Sequence, residues 1–297
     1  MIRLGVIGVD EPHRCKLSRR VRGATLVSVP QTSLLSDAPH DVDAVAFLGS
    51  QLPTPAVIDH LIAGGTHVLL GTDEMHSVQV LEAATQHAAT RQVQLVVANP
   101  DRMIPSRQLI FEETARGKLG IPGLIRVHRW EPAGRAGLTC ANSLPAPLVR
   151  DLDLTTWLKG VSPNLVFATG RTGSDGSGDV IQVHLGFEDG GMALIDFTNI
   201  LPPGDGYQSL SVICSSGAVY ADDHPNRQLV LGGGTACAEA TDEGLLPICN
   251  LLQTFIDRVV TGDRPPTGVD WWRQAHAVAA AVRRSLQTGG AVMMEDR

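Results

Sequence analysis

The chain has 297 residues, enough for two domains, and 43% of them are hydrophobic and 19% charged, so packed cores are expected and general disorder is not. Because 24 Lys and Arg residues face 31 Asp and Glu residues, with a formal net charge of −7, nucleic acid and an anionic membrane are excluded as main partners. The five cysteines are far apart and form no CxxC pair, which favours free thiols over a zinc site or disulfides. No apolar run suits a signal peptide or a membrane span, and we therefore expect a soluble cytoplasmic protein.

The first 122 residues alternate between predicted strands and predicted helices. Apolar runs at 2–8, 24–29, 42–48, 66–70 and 93–98 are typical of buried parallel strands. The helix after the third run is marked at both ends, by Thr54 as a cap with Pro55 in the first turn and by Gly64 at the end. This alternation predicts an α/β domain over residues 1–122 with a Rossmann-like, doubly wound parallel sheet.

From residue 123 the pattern changes to strands with few helices between them. Predicted strands cover 124–130, 164–170, 180–187, 192–199, 209–214 and 228–231, and predicted helices cover about 148–158, 243–261 and 271–286. Asp189-Gly190-Gly191 is a hairpin turn signal between two of these strands. The sequence predicts a second domain, residues 123–297, of α+β type with a large, mostly antiparallel sheet. We expect Trp271 and Trp272 to pack against this sheet domain.

Several short motifs, each weak alone, occur in a shared order along nearly the whole chain. They are Ile2-Arg-Leu-Gly-Val-Ile-Gly8, Asp41-Val-Asp-Ala-Val45, Ala63-Gly-Gly-Thr-His-Val68, Asn99-Pro-Asp-Arg-Met-Ile-Pro105 with Gly117-Lys-Leu-Gly120, Asp151-Leu-Asp-Leu154 with Trp157-Leu-Lys-Gly160, Phe187-Glu-Asp-Gly190, and Phe255-Ile-Asp257 with Thr261-Gly262. The set resembles the glucose–fructose oxidoreductase, inositol dehydrogenase and rhizopine-catabolism (Gfo/Idh/MocA) family. The resemblance implies NAD or NADP as cofactor, a sugar, polyol or related small molecule as substrate, and a homo-oligomer formed through the C-terminal sheet.

The resemblance also locates the cofactor-binding positions, most of which have changed in this sequence. The family's G-x-G-x-x-G turn falls on Gly8, Asp10 and His13, so only the first glycine is retained. Asp10 places a side chain and a negative charge where an anionic pyrophosphate would lie. Gln31 replaces the ribose-binding acid after the second strand, and Gly49 is a further cofactor-binding position after the third.

The proton-transfer positions implied by the resemblance have changed as well. Thr72 stands where the family has a lysine near the nicotinamide, and it has neither the charge nor a useful pKa for that task. Ala146 and Arg150 stand at the family's Asp and His, and an arginine stays protonated and cannot act as a general base. The sequence therefore argues against ordinary hydride transfer.

Four polar residues are candidates for binding the small-molecule ligand. Arg102 and Arg150 as a pair suit a carboxylate or phosphate, although each has acidic neighbours with which it can pair instead. Asn99 is most simply a turn former after the fifth strand, and Asp153 a cap or an ion-pair partner.

Two turns share the pattern Asp-Glu-x-His, one from Asp10 to His13 after the first strand and one from Asp73 to His76 after the fourth. We expect the first and fourth strands to be neighbours at the switch point of the doubly wound sheet, so that both turns face the ligand crevice. Two carboxylate–histidine sets on adjacent turns suit a divalent metal. The alternative is that Asp10 and Asp73 cap their helices and that the histidines are ordinary surface or half-buried residues.

The sequence leaves three functions open. The first is a divergent NAD(P)-dependent oxidoreductase of a sugar- or polyol-like substrate. The second is a family member without dehydrogenase activity that serves as a ligand-binding or partner subunit. The third is a metal- or anion-dependent activity of the two Asp-Glu-x-His turns. Nicotinamide binding separates the first from the other two, and metal content separates the third.

Overall fold

The computed structural model describes residues 1–29, 42–49, 52–72, 76–133, 144–171, 178–202, 206–222, 227–232, 235–240, 245–262 and 268–294, apart from the side chains of residues 72, 222 and 227–240. The chain divides into two compact units. The first comprises Met1–Met103 and Gly244–Arg273, and the second Ile104–Glu243 and Gln274–Arg297. This division differs from the predicted single boundary after residue 122.

The first unit contains a five-stranded sheet that is parallel throughout. Its strands, β1 (Ile2–Ile7), β2 (Ala24–Ser28), β3 (Ala44–Gly49), β4 (His67–Thr72) and β5 (Leu95–Val97), lie in the order β2-β1-β3-β4-β5. The helices between them are α1 (Glu11–Ser18), α2 (Pro55–Ala63) and α3 (Val78–Arg91), and a 3₁₀ turn over Pro100–Met103 follows β5. The predicted Rossmann-like parallel sheet is confirmed.

The strand order corrects one expectation about this sheet. The first and fourth strands are not neighbours, because β1 pairs with β2 and β3, and β4 pairs with β3 and β5. The chain starts in the middle of the sheet, moves outward to β2, and returns past β1 to β3. The switch point therefore lies between β1 and β3.

Helix α6 (Leu246–Thr261) explains why the first unit is discontinuous in sequence. Its buried apolar side chains belong to one core with residues of β1, α1 and β3. The helix contributes Cys249, Leu251, Leu252, Phe255 and Ile256 to that core. Burying side chains of this size contributes about 1.5–3 kcal/mol each, which fixes the helix to the parallel sheet.

The second unit contains a nine-stranded sheet in the order β13-β12-β11-β10-β6-β9-β8-β7-β14. The strands are β6 (Pro122–Pro132), β7 (Leu165–Arg171), β8 (Val180–Gly186), β9 (Met192–Leu201), β10 (Tyr207–Cys214), β11 (Gly217–Asp222), β12 (Arg227–Gly232), β13 (Thr235–Ala240) and β14 (Val292–Met293). All pairs are antiparallel except β6 with β9. The predicted mostly antiparallel sheet is confirmed, although the sequence did not predict β11 and β13.

Three further helices complete the fold. They are α4 (Pro105–Ala115), α5 (Ala146–Lys159) and α7 (Val269–Thr288). The division between the two units falls inside α7, after Arg273.

A helix cap and a hairpin turn lie where the sequence predicts them. The Thr54 hydroxyl accepts from the Val57 amide at 3.4 Å and caps α2, and Gly64 ends that helix. Asp189-Gly190-Gly191 turns the chain between β8 and β9, and the Phe187 amide donates to Gly191 O at 3.0 Å.

Two composition-based expectations can be compared with the described residues. Cys15, Cys214 and Cys249 are free thiols, of which Cys15 is exposed and Cys249 buried. Among the helices that the structure describes, none combines the length and apolar character needed to cross a membrane.

Candidate functional site

The carboxyl end of β1 is built around a glycine that the packing requires. Gly8 has φ +85°, and a Cβ at this position would lie 1.7 Å from Leu48 O at the end of β3. Gly49 also has a positive φ, +71°, and a Cβ there would lie 3.3 Å from Gly8 O. The two strand ends thus approach each other closely, and Gly8, the first glycine of the turn that the resemblance assigns to the cofactor, is needed by the fold itself.

The next turn carries Asp10, which caps α1. Its Oδ1 accepts from the His13 amide at 2.8 Å and from the His13 Nδ1–H at 2.5 Å. The backbone amide of His13, followed by its side chain, holds the pKa of Asp10 below the usual range, so the carboxylate is ionised. A nucleotide phosphate bound at a helix N-terminus accepts hydrogen bonds from backbone amides of the first turn. In this chain the Asp10 carboxylate accepts from one of those amides, that of His13.

A second carboxylate lies in the same turn. Glu11 binds Arg14, whose Nε donates to Glu11 Oε2 at 3.0 Å and whose Nη1 donates to Leu26 O at 3.0 Å. Arg14 lowers the pKa of Glu11 and ties α1 to β2. Sequence reasoning missed Arg14, although a Glu and an Arg three residues apart are a recognisable helical pair.

The segment after β4 is fixed at His76. Its Nε2–H donates to Pro53 O at 2.6 Å, and its own carbonyl accepts from the Trp272 Nε1–H at 2.9 Å. Burial lowers the pKa of His76, which favours the neutral imidazole. The expectation that Trp272 packs against the C-terminal sheet domain is wrong, because the buried indole belongs to the first unit and binds His76, two residues before α3.

The predicted metal site required the two Asp-Glu-x-His turns to follow adjacent strands, and the strand order does not place them so. With β3 between them, β1 and β4 are two strand spacings apart, about 10 Å. His13 is engaged with Asp10, the Nε2 of His76 is engaged with Pro53, and Asp73 lies outside the described residues. The described part of the chain holds no group of three or more His, Cys, Asp or Glu side chains placed to bind a metal.

The end of β5 carries Asn99 and Arg102. Asn99 is 1% exposed, and its Oδ1 accepts from the Asp101 amide at 3.0 Å, so it forms the turn that the sequence predicts for it. The Arg102 guanidinium lies 5.3 Å from the centre of the Trp271 ring. The Trp271 indole in turn donates to Val97 O at 3.2 Å, so both tryptophans of α7 bind carbonyls near the carboxyl ends of the parallel strands.

In the second unit, α5 carries the positions that the resemblance assigns to proton transfer and to ligand binding. Ala146 is its first residue, and Arg150 and Asp153, at 8% and 1% exposure, are buried. Asp151 accepts two bonds from Arg129 of β6, from Nε and Nη2, each at 2.7 Å. Sequence reasoning missed Arg129, although a charged residue at an inward position of an alternating strand signals a buried partner.

The side chains at two predicted cofactor and catalytic positions, Gln31 and Thr72, are not described. Gln31 lies outside the described residues. The backbone of Thr72 ends β4 opposite Gly49, and its side chain is not among those described. Arg102 and Arg150, proposed above as a pair, belong to different units.

One unit holds a wholly parallel sheet and the other a large, mostly antiparallel sheet, and solved structures with this fold include proteins described as dehydrogenases. No family model and no curated protein matches the sequence.

Solved structures match the chain over nearly its full length. Aldose–aldose oxidoreductase from Caulobacter crescentus has a TM-score of 0.78 at 17% identity, with 99% of each chain covered. UDP-N-acetylglucosamine 3-dehydrogenase from Acidithiobacillus ferrooxidans has a TM-score of 0.75 at 18% identity, with 97% of this chain and 98% of that chain covered. Scyllo-inositol dehydrogenase from Lactobacillus casei, solved with bound NAD(H) and scyllo-inositol, has a TM-score of 0.72 at 16% identity, with 99% of each chain covered. The predicted resemblance to this group of dehydrogenases is confirmed at the level of the fold.

Proposed function

We propose that this chain is an oxidoreductase-type protein of the Gfo/Idh/MocA kind that takes a sugar- or polyol-like small molecule. We further propose that its nucleotide turn and proton-transfer positions have diverged so far that ordinary NAD(P) hydride transfer is not supported. The first part rests on the fold and on neighbours whose names are those of sugar and polyol enzymes. The second part rests on this chain's own residues.

The observation that carries the proposed loss of cofactor binding is that the Asp10 carboxylate already accepts from the His13 backbone amide at the start of α1. An NAD or NADP pyrophosphate placed in the family's usual position would meet the ionised Asp10 and, one residue later, Glu11. Like charges at this distance repel each other, so the carboxylates disfavour an anionic pyrophosphate in that position. Pro12 also removes an amide donor from the turn. These residues do not fit a dinucleotide bound in the usual mode.

The residues at the proton-transfer positions support the same conclusion. Thr72 and Ala146 offer no group that titrates near neutral pH, and Arg150 stays protonated. Arg150 and Asp153 are instead buried polar groups on α5 that suit ligand recognition. A ligand-binding or partner subunit without dehydrogenase activity is therefore the second candidate function.

The test is calorimetric titration of the purified protein with NAD⁺, NADH, NADP⁺ and NADPH. We expect no binding at millimolar cofactor for the natural sequence. The double variant Asp10→Gly with His13→Gly restores the family's glycines and removes the carboxylate, and it should bind at least one of the four nucleotides about tenfold or more tightly, since 1.4 kcal/mol of relieved repulsion is a factor of ten.

The matched control is Asp59→Ala with His87→Ala. It removes another exposed Asp–His contact, 3.4 Å long, between α2 and α3, and it should leave nucleotide binding unchanged. Micromolar binding by the natural sequence would overturn the proposed loss of cofactor binding. No gain in the Asp10 and His13 variant would count against our account of the turn.

A further inference from the structure

The end of α1 and the turn after it concentrate positive charge in one part of the first unit. Positions 16–22 hold four of the chain's 24 Lys and Arg residues and no Asp or Glu, although the whole chain has 31 acidic residues and a net charge of −7. All four basic residues are exposed. They are Lys16, Arg19, Arg20 and Arg22, which we call the basic patch.

The local fold holds three of these side chains close together. Leu17 and Val21 are buried one turn apart, and the Val21 amide donates to Leu17 O at 2.9 Å, so the chain keeps a helical path past the end of α1. Lys16 lies three residues before Arg19 and four before Arg20, and such spacings place Cβ atoms about 5–6 Å apart on a helical surface. These three cations therefore share one exposed surface.

The fourth member, Arg22, is fixed beside them by α6. Its amide donates to Gln253 Oε1 at 2.8 Å, and its carbonyl accepts from Gln253 Nε2 at 3.2 Å. The same Nε2 donates to the Asp257 carboxylate at 2.8 Å, so one acidic side chain borders the patch. The backbone that carries the four cations is thus held by the core on one side and by α6 on the other.

The stability of the fold does not account for this concentration of charge. A cation near the end of a helix interacts favourably with the helix dipole, but the effect falls off within the last turn, and Arg20 and Arg22 follow the C-cap of α1. Like charges three and four residues apart repel each other. Among the described residues, the side chains of Lys16, Arg19 and Arg22 have no ion pair that neutralises them. Such a cluster is typical of a surface that binds an opposite charge.

The chemistry and size of the basic patch favour a short, carboxylate-rich protein segment over other anions. Three of its four cations are arginines, whose planar guanidinium groups can each donate two parallel hydrogen bonds to a carboxylate. Nucleic acids are bound through many phosphate contacts and anionic membranes through an extended surface, and the net charge of −7 opposes both. A short segment contacts the patch alone, because charges beyond about 8 Å are screened at physiological ionic strength.

The basic patch lies at the opposite end of the parallel sheet from the ligand crevice. Gly23 O accepts from the Ile2 amide at 3.0 Å, so the turn that ends the patch adjoins the first residues of β1 and β2. The crevice lies at the carboxyl ends of these strands. We propose that the basic patch is a docking surface for an acidic segment of a partner protein. It shares no residue with the turn from Asp10 to His13, so the partner can bind whether or not the crevice binds a nucleotide.

The experiment measures binding of the full chain to a fluorescein-labelled, twelve-residue peptide of Glu, Asp and Gly by fluorescence anisotropy. The natural sequence should bind with micromolar affinity at about 20 mM salt and more weakly at about 150 mM, because salt screens the charges. The triple variant Lys16→Gln, Arg19→Gln and Arg22→Gln should bind about tenfold or more weakly. Arg20 stays in place because it makes further contacts within the chain.

The matched control is the triple variant Lys118→Gln, Arg126→Gln and Arg284→Gln, which makes the same change in net charge at exposed positions of the second unit. It should retain the natural affinity, and far-ultraviolet circular dichroism checks that both variants are folded. Equal losses in the two variants would overturn the proposal, since net charge alone would then explain the binding. So would the absence of binding by the natural chain at millimolar peptide, or tighter binding to a labelled twelve-nucleotide thymidine strand or to phosphatidylserine vesicles.

Discussion

At the scale of single residues, His67 links the stability of the parallel sheet to pH. Its Nδ1 accepts from the Gln94 amide at 2.8 Å, which requires the neutral ring. Burial lowers the pKa of His67 below the usual value of 6.5, and the opposing effect of Asp43 is smaller. The neutral ring therefore stabilises the fold above about pH 6.5, and this contribution is lost as the pH falls from 6.5 through the lowered folded-state pKa.

We expect His67→Asn to flatten this part of the pH dependence, because the asparagine Oδ1 takes the position of Nδ1, can accept the same bond and does not titrate. Urea unfolding at pH 7.5 and at pH 5.5 measures the effect. His60→Gln, at an exposed position of α2, is the control and should leave the acid sensitivity in place. An unchanged difference between the two pH values in the His67 variant would show that this bond is not its source.

At the scale of elements, Lys159 ties the end of α5 to two parts of the large sheet. Its Nζ donates to Pro122 O at 2.7 Å and to Asp189 Oδ2 at 2.5 Å, and it lies 5.5 Å from the centre of the Phe187 ring. Lys159 is also the main reason why the pKa of Asp189 lies below its usual range. A Cβ at residue 191 would lie 2.7 Å from this ammonium group, so the glycine of the hairpin makes room for it.

Replacing this lysine should destabilise the second unit. Lys159→Met keeps the apolar stem but leaves Pro122 O without the ammonium donor, and we expect a loss of about 1–3 kcal/mol in the free energy of unfolding by urea. Lys118→Met is the matched control, and a smaller loss is expected, since that ammonium is largely exposed and Glu113 keeps its bond from Arg116 Nη1 at 2.9 Å. Equal losses in the two variants would contradict the role given to Lys159.

The contrast between α2 and α6 explains how far the sequence could predict this molecule. The bounds of α2 follow from residues within one turn of its ends, Thr54 and Gly64, and were predicted correctly. The placement of α6 depends on contacts between Phe255 and residues some 250 positions earlier, which no local pattern encodes. The same holds at the site, where the cap by Asp10 is a local feature and the bond from Trp272 to His76, 196 residues apart, is not.

At the scale of the whole molecule, the discontinuous first unit makes a prediction about fragments. Residues 1–122 contain the complete parallel sheet but lack α6, whose buried side chains share a core with β1, α1 and β3. Losing five buried side chains at about 1.5–3 kcal/mol each removes a free energy comparable with the 5–15 kcal/mol that stabilises a typical domain. We therefore expect the fragment 1–122 to lack a cooperative thermal transition and to aggregate.

The informative comparison is a second fragment, in which residues 1–103 are joined to residues 244–273 by a short Gly and Ser linker. It restores α6 together with Trp272, whose indole binds His76 O after β4. Calorimetry of this fragment should show one cooperative transition, because its core is complete. A cooperative transition in the fragment 1–122 would show instead that the parallel sheet is stable without α6, and that the boundary read from the sequence marks an independent folding unit.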